Sequence, residues 1–343
     1  MPSLKTTYLG LSLPSPLVAA ASPLSRTVEA IQRMEDAGAG AVVLFSLFQE
    51  QIVAESGDRF RASGEVAWAP TLEYLPAPSE FRLDPDAYLE HVRKAKAALG
   101  IPLFASLNGV TPGDWTVYAR LIQEAGADGL ELNLHQLPFD LEVSGEELER
   151  LYLDLIREVR RRTSIPLALK LGPYFTNVAA FAHRAVAAGA DGLVLFNRFY
   201  QPEVDLASLE LAHHPRLSTP GEPGLAPLAL HWIATLHGRL PADLVASGGI
   251  HRADDVLKAI LVGASAVQMA SALMANGVEW LGWVRSELVG WLEEHHRRSL
   301  DDLRGQASLR DLRDPAQHGR ADYVRVAGAT HPPGLPWRLI RGD

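Results

Sequence analysis

The chain has 343 residues, 47% hydrophobic and 21% charged, with Gly 28 and Pro 23 dispersed along it, a composition that fits a globular protein and excludes a fibrous or disordered one. Lys+Arg 32 against Asp+Glu 41 gives a formal charge of -9, so there is no broad basic field and nucleic acid is not an expected partner. Cysteine is absent, which removes disulfides, thiolate metal sites, cysteine-ligated iron–sulfur clusters and a Cys nucleophile or base.

In chain order, Met1 to Leu13 lacks a charged segment followed by a long apolar run, and no stretch reaches 18 uninterrupted apolar residues. The expectation is a cytoplasmic protein without membrane contact. Tyr8-Leu9-Gly10-Leu11 and Leu13 read as a small hairpin capping one end of a barrel. Short apolar strands are expected at about 17 to 22, 41 to 47, 102 to 108, 129 to 135, 166 to 172, 192 to 198, 243 to 248 and 266 to 271. Helix-length segments separate them, which argues for a parallel sheet covered on its outer face. Four joints repeat one signature, a helix stopped by glycine and followed at once by a strand: Ala37-Gly38-Ala39-Gly40, Ala125-Gly126-Ala127-Asp128, Ala188-Gly189-Ala190-Asp191 and Val262-Gly263-Ala264-Ser265. Eight such units give α/β architecture as a closed (β/α)8 TIM barrel over residues 1–308. An open doubly wound sheet is the alternative, weakened because no Gly-x-Gly-x-x-Gly turn follows the first strand.

The segment from Gln49 to Asp84, with Trp68, Pro70, Tyr74, Pro76, Pro78 and Phe81, breaks the alternation and reads as a long insertion over the active face or a subunit contact. Residues 309–343 read as an extension that wraps the surface or reaches a partner, extended at Pro332-Pro333-Gly334.

The chemistry of a barrel sits at its strand ends. There the sequence offers Ala20-Ala21-Ser22, Ser46, Asn108, Asn133, His135, Lys170, Asn197, Gly248-Gly249 and Ala270-Ser271. Burying an amide or ammonium without partners costs on the order of 2 kcal/mol or more, so these groups should converge on something polar. Gly248-Gly249, at the end of an apolar strand, lets backbone N–H groups approach an anion closely, and Ala270-Ser271 one unit later joins it over the same phosphate. Read alone, the glycine pair is also a tight turn. Lys170 is either a fixed cation for negative charge on a ring or an imine-forming amine, or it snorkels to the rim. The asparagines offer donor and acceptor to a heterocycle edge, and His135 is a loop residue or a catalytic one. His213-His214 and His295-His296 lack ligand spacing, so no metal is expected.

Taken together these residues resemble the flavin-dependent dihydroorotate dehydrogenase family, in its dihydroorotate dehydrogenase-like branch. The resemblance is carried by Val43 to Ile52, Ala105 to Val110, Glu131-Leu132-Asn133, Leu169 to Phe175, Leu195 to Pro202 and the unit from Gly248-Gly249 to Ser271. It implies FMN at the barrel mouth, with Ala20, Ala21, Ser22 and Ser46 along the flavin and Lys170 near ring N1, where a cation favours the anionic reduced form. It further implies Asn133 and Asn197 on flavin or substrate, and Gly248, Gly249, Ala270 and Ser271 around the phosphate. Asn108 joins the same mouth. The run Asn133-Leu134-His135-Gln136-Leu137-Pro138 departs from the family pattern: Gln136 stands where a Cys or Ser takes the substrate proton, and glutamine is not a useful base. Pro138 replaces a substrate-binding asparagine, and Phe45 a lysine that often flanks the flavin.

The resulting expectation is an FMN-dependent oxidoreductase acting on the CH–CH bond of a small, dihydropyrimidine-like substrate, with Lys170 stabilising charge and His135 as an alternative base or acid. It would work in pyrimidine metabolism as a homodimer. The alternatives are a phosphate-binding barrel lyase or isomerase with Lys170 as a Schiff base, and a non-catalytic FMN-binding electron-transfer subunit.

Overall fold

The computed structural model describes residues 2–56, 84–136, 140–197, 203–212, 217–222 and 225–328. An antiparallel hairpin of β1 (Thr6–Tyr8) and β2 (Leu11–Leu13) comes first. Six parallel strands follow: β3 (Leu17–Ala19), β4 (Ala41–Phe48), β5 (Leu103–Asn108), β6 (Gly129–Leu134), β7 (Leu167–Leu171) and β8 (Gly192–Leu195). A second hairpin, β9 (Glu203–Asp205) and β10 (Glu210–Ala212), intervenes before β11 (Asp243–Ser247) and β12 (Ala266–Met269). The barrel closes in the order β11-β12-β3-β4-β5-β6-β7-β8. The expected eight-stranded TIM barrel is therefore the observed fold.

Helices cover the outside: α1 (Val28–Asp36), α2 (Gln49–Ser56), α3 (Pro85–Ala98), α4 (Val117–Glu124), α5 (Gly145–Arg162), α6 (Val178–Ala187), α7 (Leu225–Leu236), α8 (Ala253–Val262), α9 (Ser271–Asn276), α10 (Trp280–Glu294) and α11 (Pro315–Gly328). Leu130 and Leu132 of β6 face outward into one apolar cluster with Ile122 of α4 and Leu155 and Ile156 of α5. Alternate residues face inward, as a pleated strand requires. Their cluster holds Val18, Ala41, Val43, Phe104, Ala168, Val194, Val245 and Ala266, closed from below by Tyr8, Leu9 and Leu13 of the first hairpin.

The four glycine joints have a common physical basis. Gly38, Gly126, Gly189 and Gly263 have φ of 97°, 98°, 120° and 116°, the left-handed region that ends a helix and that residues with a Cβ avoid. At two of these joints the aspartate that follows ties the new strand to its predecessor. The Leu103 N–H donates to Asp128 Oδ2 at 2.8 Å and the Leu167 N–H to Asp191 Oδ2 at 2.8 Å. Asp243 does similar work for the plug, accepting from the Leu9 N–H at 2.6 Å. Ser3, just before the hairpin, and Ser299, after α10, form a parallel bridge, with Ser3 N to Arg298 O at 2.8 Å and Leu300 N to Ser3 O at 3.2 Å.

Several strands end sooner than their apolar runs. β3 stops at Ala19, β8 at Leu195 and β12 at Met269, leaving Ala20 to Ser22, Asn197 and Ala270 on loops. The insertion begins as helix α2; its aromatic and proline residues lie outside the described residues. The extension is helical over α11, almost wholly exposed, and its base is tied to the barrel by Leu309 N to Ala234 O at 2.8 Å and by Arg239 to the Leu309 and Leu312 carbonyls. Pro332-Pro333-Gly334 lies outside the described residues. Among those residues no helix is long and apolar enough to cross a membrane.

Candidate active site

Strand by strand, the inward residue turns from apolar to polar toward the strand end. Val43 gives way to Ser46, Phe104 to Ser106, Gly129 to Glu131, Ala168 to Lys170, Val245 to Ser247 and Ala266 to Gln268. On β4 the change is helped by an irregularity between Val43 and Ser46 in the pairing with β5. It brings the Ser46 and Ser106 hydroxyls to 2.8 Å.

A cavity of about 220 Å³ opens at this end. Its lining brings together Ala20, Ala21 and Ser22 after β3, Lys170 on β7, Asn197 after β8, Gly248-Gly249 after β11 and Ala270-Ser271 after β12. The two glycines have φ of 85° and 77°, and such a pair presents successive backbone N–H groups to one side. Ser46, Asn108, Asn133 and His135 do not line it. Asn133 is one contact away, accepting from Asn197 Nδ2 at 2.8 Å, and Asn108 lies opposite Asn133 in the β5–β6 register. His135 is half-buried just past β6, and burial lowers its pKa from the usual histidine value. Gln136 Oε1 is buried without a hydrogen-bond partner; Pro138 lies outside the described residues. Phe45 packs edge-on against Tyr88 and tilted against His91, so its ring is held in an aromatic cluster beside the mouth.

Four further residues belong to this end of the barrel. Lys170, 7% exposed, donates from Nζ to Gln268 Oε1 at 2.8 Å, and its Nζ is 3.5 Å from Glu131 Oε1. Gln268 Nε2 donates to Glu131 Oε2. The sequence signal was a polar residue inside an apolar strand at inward parity, short of the strand tip. At the rim, Ser218 and His251 are buried with Ser218 Oγ and His251 Nε2 2.9 Å apart, and the Ser218 N–H donates to Ser271 Oγ at 3.2 Å. Burial is the main cause lowering the His251 pKa, with Asp255 and Glu222 opposing it. The paired histidines elsewhere build nothing comparable. His213-His214 lies outside the described residues, and His295 stacks on Trp291 at the surface. Among the described residues no metal-binding cluster occurs.

A more open depression of about 520 Å³ lies at the opposite end, around Arg160, Asp191 and Asp243. Its charges are already engaged: Arg160 pairs with Asp191 at 3.1 Å, and Asp243 accepts from the Leu9 N–H and from Ser265 Oγ at 2.6 Å. It is a seam between strand starts and the plug, and the chemistry belongs to the other face.

A parallel barrel with converging polar side chains at its strand ends is the architecture of a (β/α)8 enzyme. The family model described as dihydroorotate dehydrogenase matches residues 78–292, and the chain belongs to that family. With it, the protein is a flavin-dependent oxidoreductase of the class acting on CH–CH donors. Similar proteins include the catalytic subunits of dihydroorotate dehydrogenase B (NAD(+)) from Pyrococcus abyssi, 27% identical over 314 residues (89% of this chain, 99% of the relative), and from Thermoplasma acidophilum, 27% over 322 residues (90% and 99%). The corresponding subunit of Methanocaldococcus jannaschii is 24% identical over 318 residues (89% and 98%).

Proposed function

We propose that the protein is an FMN oxidoreductase acting on the CH–CH bond of a small, dihydropyrimidine-like substrate, in pyrimidine metabolism. The observation that carries this reading is the meeting of a buried ammonium, Lys170, and two positive-φ glycines, Gly248 and Gly249, on one cavity. The donor set suits the group. The glycine N–H groups, with Ala270 and Ser271, would hold the phosphate. Lys170 would face the ring, Ala20, Ala21, Ser22 and Ser46 would run along it, and Asn108, Asn133 and Asn197 would serve ring or substrate edges. When bound, the flavin supplies the acceptor for a hydride from the substrate carbon.

The chain's own residues do the rest. Lys170 is a cation aimed at developing negative charge in a low-dielectric pocket, where such a charge acts more strongly than in water. Asn197, oriented by its bond to Asn133, fixes an edge of the bound molecule. Gln136 stands at the family's base position and cannot take a proton usefully. His135, kept neutral by burial, is the base or acid nearest that position in the chain, and it handles the proton on the substrate carbon. Dihydroorotate itself should then be a slow substrate.

The Schiff-base alternative is disfavoured by Lys170's surroundings, since its Nζ is already engaged by the Gln268 amide oxygen at 2.8 Å and lies 3.5 Å from a Glu131 carboxylate oxygen, rather than standing free to attack a carbonyl. These 343 residues hold no cysteine, so a cysteine-ligated iron–sulfur relay would have to lie outside them, in keeping with relatives named as catalytic subunits. We place the protein in the cytoplasm as a homodimer, with residues 1–308 as the catalytic barrel and 309–343 as an extension. The test is the visible spectrum of the purified protein and the flavin released on denaturation. FMN in stoichiometric amount is expected, followed by bleaching with a reduced pyrimidine in the absence of air; a colourless protein that takes up no added FMN would refute the reading.

A further inference from the structure

Beneath the mouth lies a charge that the proposed chemistry leaves unused. Glu131 is 1% exposed, and its Oε1 has no hydrogen-bond partner. Below it the barrel interior is apolar, and its charge is one of the causes that raise the Tyr8 pKa, after burial. A carboxylate in such a place is normally neutralised by direct pairing. Here the direct approach of Lys170 is a long one, 3.5 Å from Nζ to Oε1, and an amide bridges the two groups beside it. A carboxylate only accepts and an ammonium only donates, so Gln268 has a single orientation that satisfies both: Nε2 toward Glu131 and Oε1 toward Lys170. The ammonium is thereby held 3.5 Å from Glu131 Oε1, with one proton committed to Gln268 and others left for the cavity it lines.

We propose that Glu131, acting through Gln268, is a positioning residue that fixes the Lys170 ammonium at the cavity floor and sets the redox potential of the flavin bound there. The inference rests on the flavin reading above. The carboxylate tempers the cation. Without it, negative charge arriving on the ring meets an uncompensated ammonium, and reduction becomes easier. Without the amide, carboxylate and ammonium close on each other, the cation withdraws from the mouth, and reduction becomes harder.

The two changes are thus expected to move the potential in opposite directions, which a general loosening of the barrel would not do. The experiment is equilibration of the FMN-loaded protein with a redox dye of known potential, for the wild type, Glu131→Gln, Glu131→Asp and Gln268→Leu. Glu131→Gln should shift the reduced-to-oxidised ratio at fixed potential at least tenfold toward reduced, about 30 mV for a two-electron couple. Glu131→Asp keeps the charge and should stay within about threefold of wild type, well inside that tenfold interval. Gln268→Leu should shift the ratio toward oxidised, and it carries the test if Glu131→Gln fails to fold. Flavin bound to all variants with coincident potentials, or both changes moving the potential the same way, would overturn the role of Glu131 and leave the proposed function standing. Failure of the wild type to bind FMN would overturn both.

Discussion

The two ends of the barrel interior are built from the same strands and serve opposite ends. At the strand starts, Val43, Phe104, Val194, Val245 and Ala266 pack against Tyr8, Leu9 and Leu13 without any buried charge of their own cluster. Toward the strand ends, Ser46 bonds to Ser106 between neighbouring strands, and Glu131, Gln268 and Lys170 bond across the lumen. Apolar filling lowers the free energy of the fold through buried area, whereas a buried polar network gains little net stability and is costly to break. One half therefore carries stability and the other carries chemistry. Substitutions should sort accordingly.

The sharpest separation comes from Lys170→Ala. It should slow flavin reduction by about a hundredfold, as loss of one preorganised charge-stabilising donor does, and weaken FMN binding far less. It also strands Glu131, for which about 3 kcal/mol of stability should go. Stopped-flow reduction and a flavin titration read the two effects apart, and an unchanged reduction rate would deny Lys170 its role. Next, Phe104→Ala empties the lower half, where the ring sits 1% exposed with its centroid 5.4 Å from that of Tyr8. About 3–5 kcal/mol of stability should be lost in denaturant melts, with the flavin spectrum unaltered below the transition. If the spectrum changed as much as with Lys170→Ala, the two halves would not be separable.

The smallest effect is expected from pH. Burial lowers the pKa of His135, His237 and His251 below the usual 6.5, so the unfolded chain takes up protons that the folded one resists. Stability is then full above about 6.5 and falls as the pH drops toward the folded values. Melting temperatures should decline through this acidic window, and His251→Gln should make the decline shallower. An unchanged slope would mean that the Ser218–His251 pair stays neutral at no cost.

Most of the barrel was legible because its signals are local. Glycine joints and short apolar runs report on a few neighbouring residues, and Gly38, Gly126, Gly189 and Gly263 all took the left-handed conformation that their positions demanded. Strand-tip polarity likewise pointed to Lys170, Asn197 and Gly248-Gly249, which share one cavity. Contacts across the lumen were not legible. Gln268 and Glu131 are 137 residues apart in the chain, and although each is a polar residue inside an apolar strand, nothing local marks them as neighbours of each other or of Lys170. The second hairpin escaped for another reason: its three-residue strands are too short for alternation to register, and Val204, Leu206, Leu209 and Leu211 are exposed instead of marking a core. Helix α11 escaped because its sequence mixes Gly, His, Arg and Asp without an apolar stripe, and in the fold it buries almost nothing.

The bridge between Ser3 and Ser299 has a bearing on how the molecule is made. The plug is made long before its partners: the Ser3 backbone bonds to Arg298 and Leu300, and the Thr6 hydroxyl donates to the Ser265 carbonyl. During synthesis the floor of the barrel must wait, unsealed, for nearly three hundred residues, so a nascent chain halted anywhere before Ser299 should leave its apolar lumen open to a chaperone.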